Sequence, residues 1–411
     1  MSDGGRHAGN KRQIQKGAAD AFRTTMKRVF LIVLDSVGAG ELPDAADFGD
    51  SGAHTLRSVF RTGLLHIPHL LSLGLGNVRG LEFLGKTDAP QGAYGKAAER
   101  SRGKDTTTGH WEIAGLYSPT AMPTFPQGFP AELMEAYSRA TGRPLLCNRP
   151  YSGTEVIRDF GRESIEKKAL IVYTSADSVF QVAAHTDVVP LDELYRDCEI
   201  ARKLLVGPLG VGRVIARPFD GEHPFHRTAD RRDFSLPPHG ETLLDALHDA
   251  GRDVLGVGKI SDIFAARGLT RSFPVHGNPD CTKETERLLG EDFCGLCFVN
   301  LVDFDMVYGH RNDAEGYARA LNEFDTALGR MLPRLQKEDV LFITADHGCD
   351  PGDVSTDHTR EYVPILTAGP AIHPCDLGVR ATYADIGATV AELLGCGYRG
   401  AGQSFAAQIL G

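Results

Sequence analysis

The chain has no apolar run approaching the roughly 18 residues of a membrane-crossing helix. Its first 28 residues are polar and basic, without the apolar core of a secretion signal. It has no surplus of positive charge. Lys and Arg number 44 against 54 Asp and Glu, a formal net charge of −10, which speaks against a dedicated nucleic-acid binder. A small anionic substrate stays compatible with that balance, because a local basic pocket can sit in an acidic protein. Cys294-Gly-Leu-Cys297 has no second pair to make a zinc ribbon. The eight cysteines (Cys147, Cys198, Cys281, Cys294, Cys297, Cys349, Cys375 and Cys396) are scattered through the chain, which suits reduced thiols in a cytoplasmic protein. There is no internal repeat, and no low-complexity run beyond the N-terminal tail.

What is there is ordinary in bulk and specific in detail. The chain is 411 residues long, 42% hydrophobic and 24% charged. At about 150 residues per domain this suggests two or three domains. Short apolar runs ending in a polar residue predict strands over 29–35, 169–177, 211–219, 254–259, 297–305 and 340–346. Helical patterns over 239–250, 316–335 and 383–394 lie between some of them, as in an α/β fold with buried parallel strands. Prolines cluster at 119, 123, 126 and 130, and again at 218, 224, 237 and 238. They are read as two crossings between a core and an insertion. The expected organisation is a disordered extension over 1–25, a catalytic core over 26–118 and 239–411, and an inserted cap over 119–238. Met26 is a candidate native start.

Acids and histidines gather at the strand ends and in the loops after them. Asp35 follows the first strand in the stretch DSVGAG. Asp303-Phe-Asp305 is followed by His310, Asp346-His347 ends another strand, and His358 lies eleven residues further on. In an open α/β sheet, ligands bind beyond the carboxyl ends of the strands. An isolated Asp there is more often a helix cap, but four such segments in one chain point to a metal site. Carboxylates with imidazoles suit a divalent first-row metal such as manganese or zinc. Three of each could hold two ions about 3.5–4 Å apart, a clamp for in-line phosphoryl transfer. The pattern does not say which residue holds which ion. A fifth segment, GKDTTTGHWE over 103–112, sets three hydroxyls between an acid and a glycine. Near two cations such a hydroxyl becomes a nucleophile. Taken alone, the segment reads as a threonine-rich helix cap with Trp111 in the core.

Long motifs then carry a resemblance: FLIVLDSVGAGELPDA, GKDTTTGHWEIAGL, IVYTSADSVFQVAAH, VGRVIARPF, GKISDIF, NLVDFD with GHRND, and TADHGCDPGDVSTDHTREYVPIL. From Met26 to the C-terminus the chain resembles the phosphopentomutases of the alkaline phosphatase superfamily. The resemblance implies an α/β, alkaline-phosphatase-like core, with a central mostly parallel sheet flanked by helices and a smaller inserted α+β cap. It implies that Asp35, Asp305, His310, Asp346, His347 and His358 bind two metal ions, typically Mn2+. It makes Thr106 the phosphoryl carrier, with Thr107 and Thr108 as neighbours only. Asp177, Arg213 and Lys259 become substrate contacts. The implied reaction interconverts D-ribose 1-phosphate and D-ribose 5-phosphate, and the 2-deoxyribose phosphates, through a phosphothreonine and a 1,5-bisphosphate. A sugar bisphosphate such as glucose 1,6-bisphosphate would prime the threonine. The partner is a small phosphosugar, with neither nucleic acid nor membrane involved. Cys349 departs from the family pattern, where asparagine is more familiar. A metal-dependent phosphatase or nucleotide pyrophosphatase would use the same ligands, and a phosphoglycerate mutase would use serine. A catalytically dead binding module would not need all six ligand positions and Thr106.

Overall fold

The computed structural model describes residues 26–411 apart from 176 and 399. The extension expected over 1–25 lies outside the described residues. Among the described residues, fourteen strands form two sheets. In chain order they are β1 (Arg28–Leu34), β2 (Ala93–Ala97), β3 (Leu145–Pro150), β4 (Leu170–Thr174), β5 (Val179–His185), β6 (Arg213–Asp220) and β7 (His226–Arg227). Then come β8 (Arg232–Ser235), β9 (Asp253–Val257), β10 (Arg271–Phe273), β11 (Gly295–Leu301), β12 (Asp339–Thr344), β13 (Val363–Ala368) and β14 (Asp376–Arg380).

The larger sheet runs β10-β9-β11-β1-β12-β13-β2-β14. Its first five strands are mutually parallel, and β13 is antiparallel to both its neighbours. β1 sits in the middle with all seven residues buried, which is why RVFLIVL is a continuous apolar run and not an alternating one. Register brings three strand ends together. Val33 is level with Asn300 of β11 and with Thr344 of β12, so the chain emerges from all three strands side by side.

The smaller sheet, β3-β4-β5-β6-β7 with β8 also on β6, is mixed and is built entirely from residues 145–235. The buried apolar clusters divide in the same way. One draws on residues 26–114 and 243–409, and two others draw on 129–219.

Several expectations shift in detail. The strand expected over 169–177 ends at Thr174, and a second strand starts at Val179. The strand expected to reach Asp305 stops at Leu301, and Phe304–Tyr308 forms one turn of π-helix. Pro218 is not a crossing point but lies inside β6. β8 pairs with Arg213–Ala216 and β7 with Phe219–Asp220, so the missing N–H of proline falls in the gap between them. β2 and β14 carry glycine and charged residues in place of an apolar run, so composition alone does not mark them. The eight cysteines are unpaired thiols. No helix among the described residues is long and apolar enough to cross a membrane.

The amino ends of β1 and β12 are locked by a buried ion pair. Arg28 donates Nε and Nη2 to the two oxygens of Asp339 at 2.8 and 2.6 Å, and Nη1 to the carbonyls of Leu289 and Glu291. Both side chains are almost fully covered. Removing one partner strands the other charge in the core, so Arg28→Ala is expected to lose about 3–5 kcal/mol of stability in denaturant titration. A loss no larger than that of an exposed pair would show that the pair does not hold the sheet's end.

Candidate active site

The parallel register delivers the acids. Asp35 directly follows β1, Asp346 lies two residues beyond β12, and Asp305 sits in the π-turn after β11. All three are buried. One oxygen of each is tied. Asn300 Nδ2 donates to Asp35 Oδ2 at 2.8 Å, and the backbone N–H of Ser36, itself held at φ 70°, donates to Asp346 Oδ1 at 3.1 Å. Asp305 Oδ2 lies 3.1 Å from His310 Nε2. The other oxygens, Asp35 Oδ1, Asp305 Oδ1 and Asp346 Oδ2, are buried without a hydrogen-bond partner.

Histidines face those free oxygens. His347 Nε2 lies 3.3 Å from Asp35 Oδ1 and 3.4 Å from Asp346 Oδ2, and His358 Nε2 lies 3.3 Å from Asp305 Oδ1. His347 Nδ1 donates to the Gly348 carbonyl and His310 Nδ1 to the Thr356 carbonyl, at 3.0 and 2.6 Å. That leaves both Nε2 atoms as the ligating faces. The His347 and His358 rings are 4.0 Å apart, because Gly348 and Thr359 exchange backbone hydrogen bonds across the intervening loop. A Cβ on Gly348 would come within 2.4 Å of Glu361 Oε1 and 2.6 Å of Thr359 Oγ1, so only glycine fits there.

The electrostatics follow from crowding charge out of water. Burial, then Asp346, push the Asp35 carboxyl up. Burial works the same way on Asp305, but His358, His310 and His347 overcome it and hold that carboxyl well below its usual range. Burial disfavours the His347 imidazolium, and Asp346, Asp35 and Asp305 reverse this, raising it well above the ordinary value. The cluster therefore demands positive charge. Orphaned carboxylate oxygens beside imidazole nitrogens are the donor set of a divalent cation. Asp35, Asp346 and His347 form one group able to hold an ion. Asp305, His347 and His358 form a second, and Asp305, His310 and Cys349 a third.

Thr106 opens the helix Thr106–Ile113, and its Oγ1 is 3.2 Å from His347 Nε2. Asp105 caps that helix by accepting from the N–H and the hydroxyl of Thr108, at 3.0 and 2.6 Å. The hydroxyl of Thr108 is thus spent on the cap, while that of Thr106 faces the cluster. Gly109 lets the helix lie against the loop after β12, since a Cβ there would come within 2.2 Å of the Asp346 carbonyl.

The remaining expected residues lie elsewhere around this centre. Asp177 is exposed in the turn between β4 and β5, and its charge adds to those that raise His310 to about 9, where Asp305 overcomes the effect of burial. Arg213 is 3.5 Å from Asp233, which Arg231 also grips at 2.7 Å. Burial raises Asp233, but Arg231, Arg213 and Lys259 pull it below its usual range, so Lys259 of the larger unit faces the same acid. Cys349 is buried, its thiol pushed up by burial and donating to the Asp357 carbonyl at 3.5 Å.

Sequence reasoning missed four residues. His110 Nδ1 is 2.9 Å from the Thr106 carbonyl and 3.0 Å from Asp346 Oδ2. Asn300 orients Asp35, Arg231 shares Asp233 with Arg213, and Arg360 lies behind the Thr106 loop. His110 stands inside GKDTTTGHWEIAGL and Asn300 opens NLVDFD. No periodicity separates them from core residues.

Asp305 faces both His310 and His358, so Asp305→Asn is expected to leave one tightly held ion, in the group of Asp35, Asp346 and His347. Elemental analysis of protein loaded with manganese and then desalted checks this. Equal metal content in variant and wild type would remove Asp305 from the ligand set.

The family model of the Metalloenzyme superfamily matches residues 27–398. Among curated relatives, the phosphopentomutase of Lachnoclostridium phytofermentans is 55% identical over 383 residues, covering 92% of this chain and 98% of that one. That of Desulfitobacterium hafniense is 52% identical, covering 94% of this chain and all of the relative. That of Carboxydothermus hydrogenoformans is 54% identical, covering 93% and all of the relative. With near-complete coverage at half identity or better, the chain belongs to the phosphopentomutase family within the Metalloenzyme superfamily.

Proposed function

We propose that this phosphomutase interconverts D-ribose 1-phosphate and D-ribose 5-phosphate, and the 2-deoxyribose phosphates, by way of phosphorylated Thr106. The observation that carries the reading is the Thr106 hydroxyl, 3.2 Å from His347 Nε2 at the edge of a cluster with three orphaned carboxylate oxygens. Asp35, Asp346 and His347 would hold one divalent ion, and Asp305, His310 and His358 the other, with Mn2+ the expected metal. Bound there, the pair would neutralise a phosphoryl group in flight and make an adjacent hydroxyl nucleophilic.

Phosphothreonine sits on the first residue of a helix, where the N-terminal dipole favours its negative charge. It gives its phosphoryl group to the free hydroxyl of the monophosphate. The P–O bond to Thr106 breaks as the bond to the sugar oxygen forms, the sugar hydroxyl proton passing to the departing Thr106 Oγ1, leaving a 1,5-bisphosphate. The bisphosphate turns end for end, and Thr106 Oγ1 takes the other phosphoryl group as the isomer leaves. A sugar bisphosphate such as glucose 1,6-bisphosphate primes Thr106 in the same way.

Arg213, Arg231 and Lys259 supply the positive charge for the phosphate not being transferred, offsetting a chain whose net charge is −10. Asp177 is placed to accept hydrogen bonds from sugar hydroxyls. The smaller sheet with its helices, residues 119–238, acts as the cap that keeps water from the phosphothreonine. The chain works in the cytoplasm, where its thiols stay reduced.

Phosphorus NMR on manganese-loaded protein, with ribose 5-phosphate or ribose 1-phosphate and a trace of glucose 1,6-bisphosphate, tests the reading. Interconversion without inorganic phosphate is expected, and stoichiometric inorganic phosphate would make the protein a hydrolase. Thr106→Ala is expected to abolish turnover with metal content nearly intact. Retained mutase activity would remove Thr106 from its role.

A further inference from the structure

The stretch between β2 and Thr106 has no regular structure, yet Glu99, Ser101 and Gly103 are buried. Buried carbonyls in such a loop need partners that no strand or helix provides. One side chain provides them. Arg360 Nη1 donates to the carbonyls of Ser101 and Gly103 at 2.9 and 2.7 Å, and Nη2 to the carbonyl of Glu99 at 3.0 Å. The guanidinium also meets Glu99 Oε2 at 2.7 Å and both oxygens of Asp44, at 3.2 and 3.1 Å. Its side chain is 2% exposed.

Arg360 stands two residues after His358, and its neighbour Thr359 is the residue paired with Gly348. Its own N–H donates to Asp50 Oδ2 at 2.8 Å. Asp50 in turn takes Lys104 Nζ on both oxygens at 3.1 and 3.2 Å, and Lys104 reaches Asp357 at 3.5 Å. The segment that presents His358 and the segment that presents Thr106 are thus clamped from both sides by one guanidinium and one ammonium.

Charge pairing alone does not account for this. Asp44 and Glu99 would neutralise a buried cation of any shape, whereas three carbonyls of the loop that feeds Thr106 need the planar fork of arginine. We propose that Arg360 is a positioning residue for phosphoryl transfer. By fixing the carbonyls of residues 99, 101 and 103 against the segment that carries His358, it sets where the Thr106 hydroxyl stands relative to the carboxylate–histidine cluster. It touches neither substrate nor the six candidate ligands, and its role rests on the reading of Thr106 as the phosphoryl carrier.

The test compares wild type, Arg360→Ala and Arg360→Lys in manganese-loaded protein. The readouts are kcat and KM for ribose 1-phosphate, phosphorylation of Thr106 by glucose 1,6-bisphosphate followed by intact mass, bound metal and melting temperature. A misplacement of about 1 Å costs on the order of 100-fold, so Arg360→Ala is expected to lose roughly that factor in kcat and in Thr106 phosphorylation rate. KM should stay within about twofold, since ground-state binding is untouched. Bound metal should not change, and added guanidinium should restore a large part of kcat in Arg360→Ala. Arg360→Lys keeps the charge but not the fork and should fall nearly as far, and it carries the test alone if the alanine variant does not fold.

Either variant retaining kcat within about threefold would overturn the proposal. So would a loss that tracks lost metal or lowered melting temperature and does not respond to guanidinium, which would make Arg360 a brace for the fold alone. A wild type that released only inorganic phosphate would instead overturn the mutase reading, and the effect of Arg360 would then be read on the hydrolysis rate.

Discussion

Three carboxylates, Asp35, Asp305 and Asp346, are buried together beyond the carboxyl ends of three central strands of the large sheet, and the rest of the centre answers the charge they concentrate. Each has one oxygen committed to a neighbour: Asn300, the Ser36 backbone, or His310. Each has a second, buried oxygen without a hydrogen-bond partner, faced by imidazole nitrogens of His110, His347 or His358. Burying a carboxylate without compensation is expensive, so these free oxygens describe a site organised around cations that side chains only partly supply. His347 supplies part of that positive charge, its imidazolium favoured by all three acids over the effect of burial.

The sheet makes this possible because parallel strands end on the same side. β11, β1 and β12 lie next to one another in register, so short loops from each reach one small volume. Asp35 and Asp346 follow closely on strand ends, a π-turn carries Asp305, and loops bring the histidines. Gly348 and Gly109 mark where two segments approach more closely than a side chain allows. A second concentration of charge lies around Asp233, where Arg213 and Arg231 of the smaller sheet meet Lys259 of the larger unit.

Much of the centre was legible in the sequence. Asp35 and Asp346 could be placed at strand ends because VFLIVLD and VLFITAD are unbroken apolar runs with abrupt polar ends. Asp305 could be named but was given the wrong setting. The apolar pattern of CFVNLVDFD continues past the strand, and it is a π-turn that swings Asp305 toward His310 and His358. The threonines could not be ranked by pattern. The Asp105 cap, which engages the Thr108 hydroxyl and leaves that of Thr106 toward His347, separates them by geometry. β2 and β14 left no apolar signature, because a glycine-bearing strand and an exposed edge strand need none.

The sequence by itself determined the chemistry on offer: which acids, imidazoles and hydroxyls exist, and that they fall where apolar strands stop. It could do so because strand burial and strand ends are local properties of a chain in water. Only the tertiary structure decided which oxygen of each carboxylate is tied and which is free. Only it brought His110 onto Asp346, and Arg360 behind the Thr106 loop. Those two pairings join distant parts of the chain, and no local rule of spacing or periodicity reaches so far.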